Sequence, residues 1–143
     1  DIQRAAMFYV LVKTGFGASL RTFGCNKKRL NTDNFADIEA RLDGVVIENK
    51  DFEDLIKVYD REKALFYCDP PYHKTERHYT VKFTEDDHER LCRVLHQIKG
   101  RFVLSYNDDK YVRDLYKDYN IQAVTRNNSL SSGDFKEVII TNF

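Results

Sequence analysis

The residues of this chain best suited by type and spacing to chemistry are Asp69-Pro70-Pro71-Tyr72. Two consecutive prolines fix two φ angles and remove two N–H donors. Each pushes the residue before it to extended geometry. The apolar run 64–68 in front of them (ALFYC) reads as a buried strand. A stiff elbow thus follows a strand, and in an open α/β sheet ligands sit outside the C-terminal strand ends. A carboxylate and a carbonyl held there suit an exocyclic amino group on a flat ring. Such a nitrogen is a poor nucleophile because its lone pair is delocalised into the ring. Asp69 on one N–H and the Pro70 carbonyl on the other would hold it nearer to sp³, free to attack an electrophilic methyl. Tyr72 could lay its ring on the base, a stack worth ~1–3 kcal/mol, once that base is flipped out of a duplex. From the residues alone, a strand-terminal turn in which Asp69 caps and Tyr72 packs stands equally beside this reading.

The elements that must position the elbow follow from periodicity and punctuation. Residues 4–14 predict a buried helix, and Asn34 a cap for a short helix to about residue 42. Asp43-Gly44 turns into a short buried strand, Val45-Val46-Ile47-Glu48. Asp51 accepts from free N–H groups at the start of a helix, Phe52 to Tyr59. Residues 73–83 predict a mobile polar loop that holds His73 and His78 as loop polar residues. Thr84-Glu85-Asp86-Asp87 resembles a capping box. The helix behind it places Leu91, Val94, Leu95 and Ile98 on one face and stops at Gly100. A strand over 101–106, a helix over 110–118 and an antiparallel strand pair, 121–125 and 137–141, complete the chain. The expected fold is α/β: a partial Rossmann-like sheet, mostly parallel with an antiparallel C-terminal hairpin, and helices on its faces.

The chain has 143 residues, room for one core. With 23 basic and 23 acidic residues, no global field draws it to nucleic acid, so any such contact needs a local patch. Arg21, Lys27, Lys28 and Arg29, interleaved with Phe16 and Phe23, form one inside a polar insert at about 15–34. No apolar run approaches the roughly 20 residues of a membrane span. Cys25, Cys68 and Cys92 have neither metal-ligand nor disulfide spacing. They read as small buried hydrophobes in a reduced, cytoplasmic compartment.

At this point the sequence resembles the DNA adenine methylases of the Dam-like class, especially the phage and prophage branch. The resemblance rests on RAAMFYVLVKTGFGAS, VVIENKDFEDLI, ALFYCDPPYH, HYTVKFTEDDHERL, GRFVLSYND and KEVIITNF, in that order, over nearly the whole chain. It implies methyl transfer from S-adenosylmethionine to the N6 amino group of adenine in double-stranded DNA, with Asp69, Pro70 and Tyr72 in the roles given above. It implies that Asp51 lies near the amino group of the cofactor's adenine, with Phe52 against the ring. It brings Tyr79 to the region that closes over the flipped base, and Ser105, Tyr106 and Asn107 beside the target-base pocket. Arg21, Lys27, Lys28 and Arg29 fall in the DNA-recognition segment, where they would neutralise phosphates. Arg126, Asn127 and Asn128 could approach the backbone. A cognate restriction enzyme is a partner of the kind such methylases have. Plainer readings stand beside several of these: a helix cap for Asp51, core for Phe52, a locally packed loop ring for Tyr79, strand-end turns for Ser105 and Asn107, and a solvated loop for the basic residues.

The sequence departs from the family in one respect. The glycine-bearing cofactor motif of the F-x-G-x-G type is absent, and so is the acid that would hold the cofactor ribose. Gly15-Phe16-Gly17 does not qualify, because it follows a helix rather than a strand. Asp1 to Ala6 reads as the middle of a helix, so the expectation is the C-terminal part of one methyltransferase catalytic domain. A catalytically inactive DNA-binding remnant is the alternative. Methylation of another planar amine or amide, as in cytosine, RNA or glutamine, is disfavoured by Asp rather than Asn or Ser at position 69. By itself the 143-residue chain is expected to bind S-adenosylmethionine weakly or not at all. Titration calorimetry checks this, and tight binding would overturn it.

Overall fold

The computed structural model describes residues 1–15, 22, 34–76, 79, 82–127 and 134–143. They form two compact units, Asp1–Glu48 and Asn49–Phe143. Among the described residues no helix is long and apolar enough to cross a membrane.

The first unit holds α1 (Ile2–Thr14) and α2 (Phe35–Leu42). Asp1 caps α1 by accepting from the Gln3 N–H at 3.1 Å. α1 buries none of its residues, and Met7 and Phe8 are more than half exposed. The expected buried helix is therefore an exposed one. Its Tyr9 ring meets Phe35 of α2 edge-on, and Lys13 lies over the same ring at 5.7 Å. Asn34 stands at the N-cap of α2, but its side chain makes no capping hydrogen bond. Gly44 turns the chain at φ +74°, a conformation that favours glycine. The strand expected at Val45–Glu48 does not form; Val46 and Ile47 are exposed. An apolar run becomes a strand only where another strand takes up its N–H and C=O groups, and none of the described strands pairs with it.

The second unit is built on a four-stranded sheet: β1 (Leu65–Cys68), β2 (Arg101–Asn107), β3 (Asn120–Asn127) and β4 (Asp134–Thr141), in the order β1-β2-β4-β3. β1 and β2 are parallel, joined by α4 (Glu85–Gln97). β3 and β4 form the expected antiparallel pair, and β4 also pairs antiparallel with β2. The described sheet is therefore mixed. Phe102, Leu104 and Tyr106 of β2 and Val138 and Ile140 of β4 make the core with Leu91, Val94 and Leu95 of α4. Val112 of α5 (Lys110–Leu115), Tyr116 and Ile56 of α3 (Phe52–Tyr59) complete it. α5 is shorter than expected, since Tyr116 leaves helical geometry and a turn follows. Among the described strands β1 stands at the edge of the sheet, with alternating burial: Phe66 and Cys68 pack on the core, while Leu65 and Tyr67 are 63% and 68% exposed. The strand read as buried is thus buried on one face only. Burial pushes the Cys68 thiol up to about 11, so it stays protonated.

Local chemistry sets the helix ends. Asp51 caps α3 through the Glu53 N–H at 3.0 Å. Thr84 and Asp87 form the full capping box of α4. Asp109 caps α5 through the Tyr111 N–H at 2.8 Å. α4 ends at Gln97, where Ile98 turns extended, two residues before Gly100. Gly100 serves a different purpose: a Cβ there would stand 2.8 Å from the carbonyl oxygens of Ala64 and Arg61. That close approach lets Arg101 N–H reach the Ala64 carbonyl at 2.8 Å, where the β1–β2 pairing begins. The Asp60 carboxylate braces the turn by accepting from the Lys99 and Gly100 N–H groups. Gly100→Ala is expected to destabilise the protein by roughly 1–3 kcal/mol, the usual range for overpacking. Urea unfolding checks this; an unchanged midpoint would mean that the two strands part without cost.

Candidate active site

Asp69 follows β1 directly and is exposed, while Pro70, Pro71 and Tyr72 are half-buried. The elbow is held by side chains of β2 and β4. The Tyr72 hydroxyl lies 2.7 Å from Ser105 Oγ on β2 and donates to Glu137 Oε1 on β4 at 3.0 Å. A phenol has one proton. With it directed at the carboxylate, Ser105 is the donor in the other bond. Burial pushes the phenol up to about 12; the Ser105 bond opposes the shift and Glu137 adds to it. Tyr72 keeps its proton at neutral pH. Its ring lies near Tyr106 (6.0 Å, tilted) and nearly parallel to Phe135 (6.2 Å, 12°).

The next residues continue the anchoring. The Tyr72 carbonyl accepts from the N–H and the hydroxyl of Thr75. Asn107 Nδ2 donates to the His73 carbonyl at 3.2 Å. His73, expected as a loop polar residue, is buried: its ring stacks on Tyr111 at 4.4 Å and Nδ1 lies 3.1 Å from the Asp109 carboxylate. Lys74 takes a positive φ of 67° and reaches Asp109 with its ammonium at 3.0 Å. The loop is then tied to α4 by Glu76, whose carboxylate lies 2.9 Å from His88 Nε2. His88 is buried, and its Nδ1 lies 2.6 Å from the Tyr106 hydroxyl. Burial drives the Tyr106 phenol far above its ordinary range, so it keeps its proton, and the His88 ring bridges that hydroxyl and the Glu76 carboxylate. Burial works against the Glu76 charge, but the His88 bond and backbone N–H groups outweigh it and hold its carboxyl below the usual range.

On the other side of Asp69 lies a cavity of about 370 Å³. Phe52, Leu55 and Ile56 of α3, Phe83 and Leu91 line one part of it, and Asp69 and Pro70 another. Asp69 is the one charged residue in that lining. Asp51 does not line it. Its carboxylate is taken by Arg90 in a two-point fork, 2.8 and 3.0 Å, and the same guanidinium lies 4.1 Å over the Phe52 ring. Arg90 also bonds Asp87 at 3.0 Å and Glu53 at 3.4 Å.

The structure thus brings Phe52, Asp69, Pro70, Tyr72, Ser105 and Asn107 into one neighbourhood. Ser105 and Asn107, expected beside the base, bond the elbow itself. Tyr79 is exposed, with its N–H on the Glu76 carbonyl. Arg21, Lys27, Lys28, Arg29, His78 and Asn128 lie outside the described residues, as do the side chains of Arg126 and Asn127. Sequence reasoning missed Arg90, His88, Phe135 and Glu137. The signal for the last two was weak: alternate positions on one strand face, with an acid directly before the apolar run VIIT.

The Arg90 bond, its largest cause, holds the Asp51 carboxyl below the usual range. A carboxyl depressed on folding adds stability above its unfolded value, and that stability is lost as pH falls through the folded value. Stability should therefore drop below about pH 4, and Arg90→Ala should flatten that drop. Thermal melts across the acid range check this; parallel pH curves would contradict it.

These features coincide with a family assignment over most of the chain. A family model described as D12 class N6 adenine-specific DNA methyltransferase matches residues 11–130. The chain belongs to the D12 class of N6 adenine-specific DNA methyltransferases.

Proposed function

We propose that the site at the end of β1 methylates the N6 amino group of adenine in double-stranded DNA, with S-adenosylmethionine as donor. The observation that carries this reading is the shared cavity: Phe52 and Asp69-Pro70 line one space of about 370 Å³. Its aromatic and aliphatic lining fits a flat apolar ring against Phe52 and Phe83, and its one carboxylate stands at the elbow. S-adenosylmethionine, when bound, supplies an electrophilic methyl group. Phe52 would pack on its adenine. Asp51 would stand near that ring's amino group, fixed in direction by Arg90.

The remaining work falls to this chain's own groups. Asp69 and the Pro70 carbonyl accept the two N–H bonds of the target amino group and turn its lone pair outward. Asp69 is also placed to take the proton that the nitrogen sheds once methylated. The Tyr72 ring stacks on the flipped base, and Phe135, nearly parallel to it and 38% exposed, offers a second apolar wall. Tyr79 closes over the base from the loop. Ser105 and Asn107 hold the elbow against β2. Arg21, Lys27, Lys28 and Arg29 neutralise phosphates, so binding weakens as salt rises.

In the whole enzyme that carries this chain, Asp69→Ala is expected to abolish methyl transfer and to leave DNA binding within a few-fold of the unsubstituted protein. Incorporation of labelled methyl into adenine-unmethylated plasmid DNA measures the first, and a gel-shift titration the second. Methyl transfer at the original rate would sink the mechanism.

A further inference from the structure

The buried carboxylate of Glu137 has a place in this geometry that the reaction itself does not call for. Glu137 is 4% exposed, on the second strand over from β1. Burying a carboxylate is costly unless hydrogen bonds replace its water. As a device for stability alone, a buried acid is a poor choice beside an apolar residue of similar size. Its carboxylate accepts from the Tyr72 hydroxyl, 65 residues away in the chain.

The placement is set by the sheet. Glu137 pairs directly with Asn107 across the β2–β4 ladder. Ser105 lies two residues before Asn107, on the same face. Three side chains of one sheet face thus meet the elbow: Ser105 and Glu137 at the Tyr72 hydroxyl, Asn107 at the next carbonyl. The Tyr72 ring is pinned at both ends, its Cα by the proline elbow and its hydroxyl by two strands. Rotation about the long axis of the ring is the freedom left, and Tyr106 and Phe135 flank it. Glu137 also sets the direction of the bonds. By taking the phenol proton it makes Ser105 the donor, so the hydroxyl has one arrangement rather than two.

We infer that Glu137 is a positioning residue for methyl transfer, acting through the Tyr72 hydroxyl to fix the tilt of the ring that stacks on the target adenine. This rests on the proposed stacking role of Tyr72. A small error in the placement of a reacting group can cost about 100-fold in rate, which gives the scale of the effect.

The test uses the whole enzyme that carries this chain: its kcat on adenine-unmethylated plasmid DNA, its KM for S-adenosylmethionine and its melting temperature. Glu137→Ala is expected to lower kcat about 10- to 100-fold with the cofactor KM unchanged. Glu137→Gln keeps an acceptor oxygen and should restore most of the rate. Tyr72→Phe removes this bond together with the Ser105 bond and should lose at least as much. Adding Glu137→Ala to Tyr72→Phe should then cost nothing more, since two members of one interaction do not add. A Glu137→Ala rate within twofold of the unsubstituted protein would overturn the inference. So would an equal loss in both backgrounds, or a parallel loss of cofactor affinity. If Glu137→Ala fails to fold, Tyr72→Phe and Glu137→Gln decide it: full activity of the first, or none of the second, overturns it. Full activity of Tyr72→Ala is a separate outcome, because it would remove the stacking role itself.

Discussion

Two consecutive prolines take two N–H donors out of the backbone at the point where β1 ends. A segment without donors cannot be stitched to a neighbouring strand in the usual way. It has to be held through carbonyls and side chains, and most of the site's architecture follows from that. Asn107 reaches the His73 carbonyl, Thr75 the Tyr72 carbonyl, and Ser105 and Glu137 the Tyr72 hydroxyl. The elbow is stiff because of what its own residues forbid. It is aimed because of what three distant side chains supply.

The sheet order is what makes this possible. β4 runs between β2 and β3, so Glu137 stands beside β2, where it can face Ser105 and Asn107. The opposite face of the same strands carries the core: Phe102, Leu104 and Tyr106 against α4 and α5. Tyr106 joins the two functions. Its ring lies near Tyr72, and its hydroxyl, through His88, ties down Glu76 in the loop after the elbow. Packing and positioning are therefore carried by alternate residues of one strand.

Arg90 does similar work behind Phe52, which lines the cavity. One guanidinium forks to Asp51, bonds Asp87 and covers Phe52, so the start of α3 and the start of α4 are fixed by a single side chain. Exposed ion pairs contribute little one by one. The combined geometry matters more, because it sets the direction of Asp51 and the plane of Phe52 together.

The sequence by itself determined the local events. The prolines at 70 and 71, the caps at Asp51 and Thr84, and the apolar face of α4 depend on residues within a few positions of one another, so they were legible. The place of Asp69-Pro70-Pro71-Tyr72 directly after a strand was legible for the same reason. Whatever needed a partner from elsewhere was not. Val45–Glu48 has the pattern of a strand but is exposed coil, α1 is apolar but unburied, and β1 is buried on one face only. His73 reads as a loop residue until Tyr111 and Asp109 are seen to enclose it. Glu137 and Arg90 were invisible because their significance lies in contacts 65 and 39 residues away. Only the tertiary structure brings such pairs together, since hydrogen bonds and burial act over a few ångströms of space whatever the separation along the chain.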